Sequence, residues 1–597
     1  MIEKMRKYTF VLYHQDYQKF LADLQKLGVV HLVQNTEERT ETLIQNMQQL
    51  EEYAEQLRFL KKLGSTAEKT SISYPSQVLL QKIQQAREEK EKLERLAETL
   101  RKQIRELAPW GHFDYDLVKK LQQSGIKVAF YTCLKNHFKP QWSEEYAVQI
   151  INEVNGILYF VVLYTDEKPD IEAEPFSFHQ HTLMELESQL KNIENQIKDI
   201  DEYLYNIAPT AIEIFSNKIE DLSKTCEFEE AVLQGIDEAE GKIKILQGFI
   251  PQRLEKELVQ FLESENVIYF AADATVEDNP PVSLTNNWFA RLFEPISKMY
   301  MLPYYNEFDL TPFFAPFFML FFGFCNADIV YGIVFILLSL LIYRKVKNPA
   351  IKSIGLLGVI FGTSSMIMGF LMGSALGFDL KNTALDPYIL IRDNSQIFNL
   401  SLLLGAIQIL FGTIINGVKQ AKQSGIKYFL APLGTFLFLL SLTVLGAGLL
   451  GVDNSSITPY TKYLLWIGLA LMLLFNNPAK NPLVNILSGL WLLYNVVTGF
   501  FGDILSYIRL FALGVSSAIL GMVINSIGLQ FLNIKFVGPI IFFIFMVAGH
   551  TLNIALGALS GFVHPLRLTF VEFYKNAGFQ GPGIPYQPFG HKKMIKI

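Results

Sequence analysis

Hydrophobic and polar positions follow different patterns on the two sides of residue 300. Before it, short stretches of alternating residues are separated by long charged stretches in which apolar residues recur every three or four positions. After it, long apolar runs follow one another with short polar loops between them. Alternation is typical of strands and three-to-four spacing of helices, whereas roughly 20 apolar residues are enough to cross a bilayer. The sequence therefore predicts a soluble half, residues 1–300, and a membrane domain, residues 301–597.

The alternating stretches predict small α/β lobes in the soluble half. Strand, helix and strand patterns follow one another within residues 7–33. The same order is predicted at two other places, 126–131 with 157–164 and 242–249 with 267–271. We expect a proximal lobe built from residues 1–35 and 241–300, and a distal lobe at 109–178.

The charged stretches 36–108 and 180–240 predict an antiparallel coiled coil. Apolar residues in the second stretch step by three and four without a miss: Leu183, Leu186, Leu190, Ile193, Ile197, Ile200, Leu204 and Ile207. The two stretches have similar lengths and bracket the distal lobe, so each can pair with the other. The expected fold of this half is a cytoplasmic α/β dumbbell with a coiled-coil hairpin between its lobes. An ordinary helical bundle is the alternative.

Seven apolar runs are candidates for membrane spans. They lie at residues 311–343, 354–377, 396–418, 428–451, 462–476, 503–530 and 538–567. As one helix the first run would be about 50 Å long, against roughly 30 Å of hydrocarbon, so we expect a hairpin that turns near 326–328. The prediction is an α-helical membrane protein with eight transmembrane helices, two of them long and tilted. The apolar stretch 483–500 lies at the interface or continues into the span at 503–530.

The distribution of charge sets the expected orientation. Residues 301–597 carry 18 Lys and Arg against 9 Asp and Glu, a balance of +9, so a net charge of −6 leaves −15 for the first 300 residues. Basic residues at 344–352 and 419–427, at Lys480 and in the tail after 574 mark the cytoplasmic side. The apolar run at 8–13 is too short for a signal peptide, so the soluble half is expected in the cytoplasm as well.

The soluble half shows no motif for nucleotide or metal chemistry. The sequence has no Gly-x-x-x-x-Gly-Lys-Ser/Thr loop and no His-Glu-x-x-His, and Cys133, Cys226 and Cys325 are far apart. Neither a disulfide framework nor a metal site is indicated. We therefore expect no cofactor, and a strut rather than an enzyme.

Two arginines stand within apolar segments of the membrane domain. Arg509 interrupts the run at 503–530, and Arg567 closes the run at 538–567. A guanidinium at the bilayer centre costs about 2.5–3.5 kcal/mol on insertion scales, so such a residue indicates a functional site. The acid Asp503 is off the helical face of Arg509. We expect the anionic partner of Arg509 to come from elsewhere.

A polar stripe runs along the final apolar helix. Its members step by 3, 4, 3, 4 and 3 along the chain: His550, Asn553, Gly557, Ser560, His564 and Arg567. Small residues alone would favour a helix-packing seam. The two histidines, the asparagine and the arginine favour a hydrated path for ions or protons. A shorter polar series, Gly502, Ser506, Arg509 and Ser516, occurs on the preceding span.

Six blocks of the sequence, in order along the chain, match a known family. They are Gly248–Pro251, Phe308–Phe313, Pro316–Gly323, Ser506–Leu513, His564–Phe573 and Pro585–Phe589. In these blocks the chain resembles subunit a, also called subunit I, of the V-type and archaeal-type rotary ATPases, in a prokaryotic form. It departs from the family at Asn326-Ala327-Asp328, where a glycine-rich turn is usual, and at Gly557, where eukaryotic relatives tend to carry an acid.

The resemblance implies a non-catalytic stator subunit with two ion half-channels that face a rotating ring. Arg509 would match the stator arginine that pairs with the ring carboxylate, and Arg567 the second arginine of the family. The other residues expected on the ion path are Ser506, His550, Asn553, His564 and Glu572. Of these, His564 would share the cytoplasmic half-channel with Arg567, and His550 and Asn553 would serve the opposite side.

The resemblance also implies partners and a location. The partners would be the proteolipid c-ring, the peripheral stalk subunits E and G, the central-stalk component named C or d, and the lipid bilayer, with no nucleic acid. The protein would be a multi-pass protein of the cell membrane with its N-terminal domain and C-terminus in the cytoplasm.

Two other classes of protein stay open. A secondary ion transporter with a coiled-coil regulatory domain should show an internal repeat of spans, which the sequence lacks. A membrane-tethered coiled-coil scaffold would leave Arg509 and the polar stripe unexplained. The sequence does not distinguish protons from sodium ions, or ATP hydrolysis from synthesis.

Overall fold

The structure is a computed structural model that describes residues 1–36, 38–64, 74–112, 115–165, 169–177, 182–346, 348–380, 386–449, 458–477 and 481–590. Lys347, Lys480 and the basic tail at 591–597, which bear on the expected orientation, lie outside the described residues. The chain divides into two compact units. The first contains residues 1–14, 29–33 and 236–589, and the second contains 15–28 and 34–235.

Helices make up most of the described chain. They are α1 (Tyr17–Leu27), α2 (Glu41–Lys62), α3 (Ser76–Leu107), α4 (Tyr115–Gln123), α5 (Gln141–Glu145), α6 (Leu183–Leu233), α7 (Glu255–Ser264), α8 (Trp288–Tyr300), α9 (Thr311–Cys325), α10 (Ile329–Lys345), α11 (Pro349–Met372), α12 (Asn394–Ser424), α13 (Leu430–Leu449), α14 (Thr458–Leu474), α15 (Pro482–Phe531), α16 (Gly538–Arg567) and α17 (Tyr574–Asn576). A π-helical turn, Leu568–Phe573, joins α16 to α17.

The strands are shorter and lie mostly in the first 300 residues. They are β1 (Met5–Tyr13), β2 (His31–Leu32), β3 (Lys127–Leu134), β4 (Ala147–Val154), β5 (Ile157–Tyr164), β6 (Glu174–Phe176), β7 (Ile236–Glu238), β8 (Ile243–Pro251), β9 (Ile268–Asp273), β10 (Ser374–Ala375) and β11 (Phe378–Asp379).

An antiparallel sheet forms the non-membrane part of the first unit. Its order is β2-β8-β1-β9, and β7 also pairs with β8. The central strand β1 buries the alternate residues Tyr8, Phe10 and Leu12, as expected for a strand with one face on a core. The strand, helix and strand predicted within 242–271 are present as β8, α7 and β9.

The second unit contains a separate antiparallel sheet of order β4-β5-β3-β6. The sequence predicted a strand, helix and strand here. Between β3 and β5 the structure has a 3-10 turn (Lys135–His137), the short α5 and the additional strand β4. Asn155 and Gly156 both have positive φ, 52° and 79°, which is the geometry of a two-residue hairpin turn. The two predicted strands are present, whereas β4 was missed because this Asn-Gly signal was not recognised in the sequence.

In the second unit α6 runs antiparallel to both α2 and α3. Along α2, Asn46 bonds Glu229 and Tyr53 packs edge-on against Phe215. Along α3, Lys90 pairs with Asp201 and Arg101 pairs with Glu194. Contacts therefore move back along α6 as they move forward along α2 and α3. Among the predicted repeat positions on α6, several are buried: Leu183, Leu186, Ile193, Leu204 and Ile207. Pro75 stands at the start of α3, a position where proline costs little because the first amides of a helix have no partner within the helix.

The first unit also contains the membrane helices. Five helices of the described residues are long and apolar enough to cross a membrane, namely Ile351–Met372, Asn394–Ser424, Ile426–Gly448, Val484–Phe531 and Gly538–Asn576. Thr311–Cys325 and Pro459–Leu474 are apolar but shorter. The chain is therefore a multi-pass helical membrane protein. Because α15 has 50 residues, the stretch 483–500 continues directly into the arginine-bearing span.

The first apolar run is a hairpin, as its length predicted. Along α9, Phe318 and Gly323 contact Phe361 and Ser364 in the same order along α11. Along α10 the order is reversed, since Gly332 lies against Met366 and Ser339 lies against Gly358. The chain therefore changes direction between Cys325 and Ile329. Asp328 caps α10 by accepting hydrogen bonds from the amides of Val330 and Tyr331.

A phenylalanine-rich core surrounds α9. Four of its aromatic side chains are fully buried: Phe314, Phe318, Phe321 and Phe324. They pack with residues of α8, α11, α12, α15 and the segment after α16. This short helix is therefore enclosed by longer helices, and its neighbours α15 and α16 carry the two intramembrane arginines.

Candidate functional site around Arg509

The helix α15 has one buried and one open face near Arg509. Residues on the buried face step by three and four: Phe500, Asp503, Tyr507, Leu510 and Gly514. On the open face, Leu505 is 63% exposed, and Ala512 and Ser516 are exposed as well. Arg509 is half-buried and lies on the side of the open face, about 40° around the helix from Leu505. An arginine at the margin of an open apolar surface can meet a group supplied by a second molecule.

One nitrogen of the Arg509 guanidinium lacks a partner. Its Nη1 atom is buried and donates to no acceptor in the described part of the chain. A buried donor without an acceptor costs about 1–3 kcal/mol, and more when it is charged. Asp503, the nearest acid along the helix, is instead bound by Lys575 at 3.1 Å and by the Asn576 amide at 2.8 Å. The expectation that Asp503 does not neutralise Arg509 agrees with this geometry.

The end of α16 brings further predicted site residues to Arg509. His564 lies within electrostatic range of both Arg509 and Arg567. The Ser506 hydroxyl donates to Gly502 O at 3.2 Å and lies near enough to Glu572 to act on it electrostatically. Glu572 sits in the π-helical turn directly after α16, and such turns often occur at functional sites.

Glu572 is the second incompletely bonded charge of the site. Its side chain is buried, and its Oε2 atom has no hydrogen-bond partner among the described residues. Asp503 and Arg567 are both close enough to act on it electrostatically. Five of the predicted residues, Ser506, Arg509, His564, Arg567 and Glu572, therefore form one cluster.

His550 and Asn553 lie elsewhere, in a closed network of hydrogen bonds. The Nε2 of His550 is 3.0 Å from Asn525 Oδ1, and its Nδ1 is 2.8 Å from the Tyr331 hydroxyl. Because an amide oxygen only accepts, Nε2 donates and Nδ1 accepts from Tyr331. Asn553 then donates to the same hydroxyl at 2.9 Å. His550 is about 21 Å along the helix from His564 at 1.5 Å per residue.

The polar stripe of α16 divides into two parts. His550, Asn553 and Gly557 are buried against other helices, whereas Ser560 and His564 are half-buried and Arg567 is exposed. The buried face continues instead through Gly561 and Pro565. Spacing places residues on one face of a helix, but the neighbouring helices determine how far that face is covered.

The two departures from the family pattern meet at one place. The Asn326 side chain lies against Gly557 and Gly561, where a Cβ atom on either glycine would overlap its amide. Asn326 itself is buried and donates to Phe322 O at 3.2 Å. A larger residue at position 557 would displace Asn326, so the glycine and the asparagine require each other.

Two cavities with mixed polar and apolar walls adjoin α15 on opposite sides of Arg509. The Asp503 cavity, about 280 Å³, is lined by Asn495 and Asp503 of α15 and by Lys575. The Gly514 cavity, about 270 Å³, is lined by Gly514 and Met522 of α15, together with Ser374, Asp379 and Asn394. Asp503 precedes Arg509 by about 9 Å along the helix and Gly514 follows it by about 7.5 Å. The cavities are thus offset along the helix axis.

Sequence reasoning missed residues that complete the site. Tyr331 and Asn525 hold His550, yet Tyr331 is 219 positions away from it along the chain. Gln408 accepts a hydrogen bond from Tyr507 across 99 positions. A lone polar residue within an apolar run was the available signal for Gln408 and Asn525. Nothing in the sequence indicated which helices these residues would join.

The fold and the site define a class: a multi-pass helical membrane protein with an incompletely bonded arginine at an open helix face. No family model matches the chain. The V-type ATP synthase subunit I of Borreliella burgdorferi is 24% identical to it over the full length of both chains. The A-type ATP synthase subunit I of Methanocaldococcus jannaschii is 27% identical over 58% of this chain and 54% of its own.

The matching protein of Archaeoglobus fulgidus is also 27% identical, over 59% of each chain. The chain therefore spans little more than half the length of these two archaeal relatives. A solved cytoplasmic N-terminal domain of a V-ATPase subunit I aligns with 45% of the chain at 12% identity. Its TM-score of 0.22 is below the level that indicates a shared fold. The chain is thus similar over its full length to a V-type ATP synthase subunit I, and over part of its length to the A-type proteins.

Proposed function

We propose that this chain is the membrane stator subunit of a prokaryotic V/A-type rotary ATPase, and that ions cross the membrane between it and a rotating proteolipid ring. The observation that carries the proposal is the Arg509 guanidinium, which is partly buried at an open apolar face with Nη1 unpartnered by any described residue. Such a cation requires an anion from outside the chain, and a carboxylate on the ring supplies it.

The chemistry follows from the cost of burying charge. A ring carboxylate that turns through lipid must be neutral, because a bare anion in hydrocarbon is unfavourable. At the stator it meets Arg509, ionises and releases its proton or sodium ion. Arginine suits this role because it stays charged and offers a planar fork to a carboxylate.

The two cavities supply the access routes. The Asp503 cavity would open to the cytoplasm and the Gly514 cavity to the opposite side. Because they meet α15 before and after Arg509, an ion moving from one to the other would be carried past Arg509 on a ring carboxylate. This offset converts rotation into net transport.

The remaining predicted residues divide between the two routes. Ser506, His564, Arg567 and Glu572 would act beside Arg509, between the ring and the cytoplasmic route, since they do not themselves line the Asp503 cavity. His550 and Asn553 act on the opposite route indirectly. Their network includes Asn525, which donates to Leu376 O at 2.8 Å, and this bond supports the 373–379 loop on the wall of the Gly514 cavity.

The rest of the chain would anchor the stator. The eight helices α9–α16 would cross or re-enter the membrane, with the N-terminal domain and C-terminus in the cytoplasm. The antiparallel helices α2, α3 and α6 would form a coiled-coil strut that holds peripheral stalk subunits E and G and approaches the central-stalk component named C or d. ATP would be hydrolysed or made on other subunits, so the chain is non-catalytic.

Affinity purification of the tagged chain from membranes tests this assignment. The proposal expects an ATPase and a small proteolipid ring to co-purify with it in a stable complex. Transport activity by the chain alone in vesicles would favour a secondary transporter. Recovery of neither a ring nor transport would favour a tethered scaffold, and either result would overturn the proposal.

A further inference from the structure

Gln408 of α12 is a buried polar residue that the proposed ion path does not use. It is fully buried, and its Oε1 accepts a hydrogen bond from the Tyr507 hydroxyl at 2.7 Å. Its Nε2 has no acceptor within the described ranges. Burying a half-bonded amide is costly, so a position selected for packing alone would carry an apolar side chain. The amide therefore indicates a role other than packing.

Tyr507 is held from three directions. A Cβ atom on Gly405 would overlap its ring, so the ring and α12 are in close contact. Phe321 of α9 meets the ring edge-on, with centroids 5.9 Å apart. The Tyr507 hydroxyl donates a hydrogen bond to Gln408 Oε1. Apolar contacts are non-directional, whereas a hydrogen bond requires a defined distance and angle. The bond to Gln408 thus selects one rotation of α15.

The rotation of α15 determines where Arg509 is presented. Tyr507 and Arg509 are two residues apart, which is about 200° around a helix of 3.6 residues per turn. When Tyr507 is fixed on α12, Arg509 is directed away from α12 toward the open face. A small rotation of α15 would move the guanidinium along an arc at the end of a long side chain.

We propose that Gln408 is a positioning residue for ion translocation, which sets the rotation of α15 through the Tyr507 hydroxyl and so presents Arg509 to the ring. The inference rests on the proposed role of Arg509. It adds a residue on a different helix that touches neither the ion nor the ring.

A double-mutant cycle in the whole complex tests the inference. The variants are Gln408→Met, Tyr507→Phe and the double variant, reconstituted in vesicles with ATP hydrolysis and ion uptake measured together. Because a misplacement of about 1 Å can cost roughly 100-fold in a positioned reaction, we expect ions moved per ATP to fall at least tenfold in each single variant. The double variant should move no fewer ions per ATP than either single variant. Ser401→Ala is the control, since Ser401 is buried on the same helix and, among the described residues, its hydroxyl bonds only Phe398 O of α12.

Three results would overturn the inference. They are normal uptake per ATP in the single variants, losses that multiply in the double variant, and a lower yield of complex with unchanged uptake per ATP. If Gln408→Met does not assemble, Tyr507→Phe removes one hydroxyl and tests the same bond. Arg509→Ala is measured in parallel. Normal uptake by Arg509→Ala would refute the proposed function. Loss of uptake in Arg509→Ala together with normal uptake in Gln408→Met would refute this inference alone.

Discussion

Single residues around the site differ in how completely they are hydrogen-bonded. His550 uses both ring nitrogens, and Tyr331 both donates and accepts. Arg509 and Glu572 each leave one buried atom without a partner in the described chain. A fully bonded network stabilises a helix contact, whereas an unbonded charge lowers stability and calls for a functional reason.

We predict that Tyr331→Phe destabilises the membrane domain. The change removes a hydroxyl that satisfies both His550 and Asn553, and an unsatisfied buried group costs about 1–3 kcal/mol. Thermal unfolding of the detergent-solubilised chain measures the effect. Tyr343→Phe is the matched control, because Tyr343 lies on the same helix and is 44% exposed. Equal unfolding temperatures for the two variants would show that the network contributes nothing.

Outside the membrane helices, Asp278 gives a pH-dependent contribution to stability. The hydrogen bond from Lys7 and those from Thr275 lower the pKa of Asp278 to about 2, from 3.8. Because the folded pKa is lowered, this contribution is complete above pH 3.8 and is lost as pH falls through about 2.

Asp278→Asn should therefore lower the free energy of unfolding by about 1 kcal/mol at about pH 6, a value reduced for partial exposure. The difference from the parent chain should shrink between about pH 4 and about pH 2 in denaturant titrations. Asp273→Asn is the control, since the Asp273 side chain is 89% exposed. A difference that does not vary with pH would contradict the assignment.

At the scale of elements, glycines permit the close packing of α10 on α11. A Cβ atom at Gly332 would lie 2.6 Å from the Met366 amide nitrogen and 2.7 Å from Gly362 O. Both are backbone atoms that cannot rotate away, so even alanine requires the helices to separate.

Gly332→Ala should destabilise the chain by about 1–3 kcal/mol, the usual cost of overpacking. Gly446→Ala on α13, where nothing lies within 4 Å of the added carbon, should be neutral or slightly stabilising. Thermal unfolding of the two variants under the same conditions measures the difference. If both changed stability equally, helix propensity rather than packing would explain the effect of Gly332.

Elements with a strong internal pattern could be predicted from the sequence. The three-and-four spacing in 183–207 lies within one helix, α6, and the excessive length of 311–343 indicated a reversal. The contacts between distant segments could not be predicted. The stripe on α16 was identified, but its division at Gly557 depends on Asn326, which the spacing of α16 does not encode. The cluster of Arg509 with Glu572 likewise requires the packing of two helices.

On the scale of the whole molecule, the C-terminal segment ties the membrane helices to the first sheet. Tyr586 bonds Val29 O, and Val282 pairs with Pro585. In addition, the buried pair of Lys419 and Glu307 joins α12 to the segment before α9. Removing one member of a buried ion pair costs about 3–5 kcal/mol, so Lys419 and Glu307 hold α12 against the segment before α9. A stator that resists torque requires such a connection.

The central claim is that Arg509 provides the fixed cation at which ions leave the ring. Its most direct test is ATP-driven ion uptake by the reconstituted complex carrying Arg509→Lys or Arg509→Ala, with assembly confirmed. Lysine keeps a positive charge but lacks the planar fork and can lose its proton. We expect uptake to be abolished or severely reduced in both variants, while Arg392→Lys, a change at a side chain 55% exposed, leaves uptake intact. Near-normal uptake by either Arg509 variant would contradict the account.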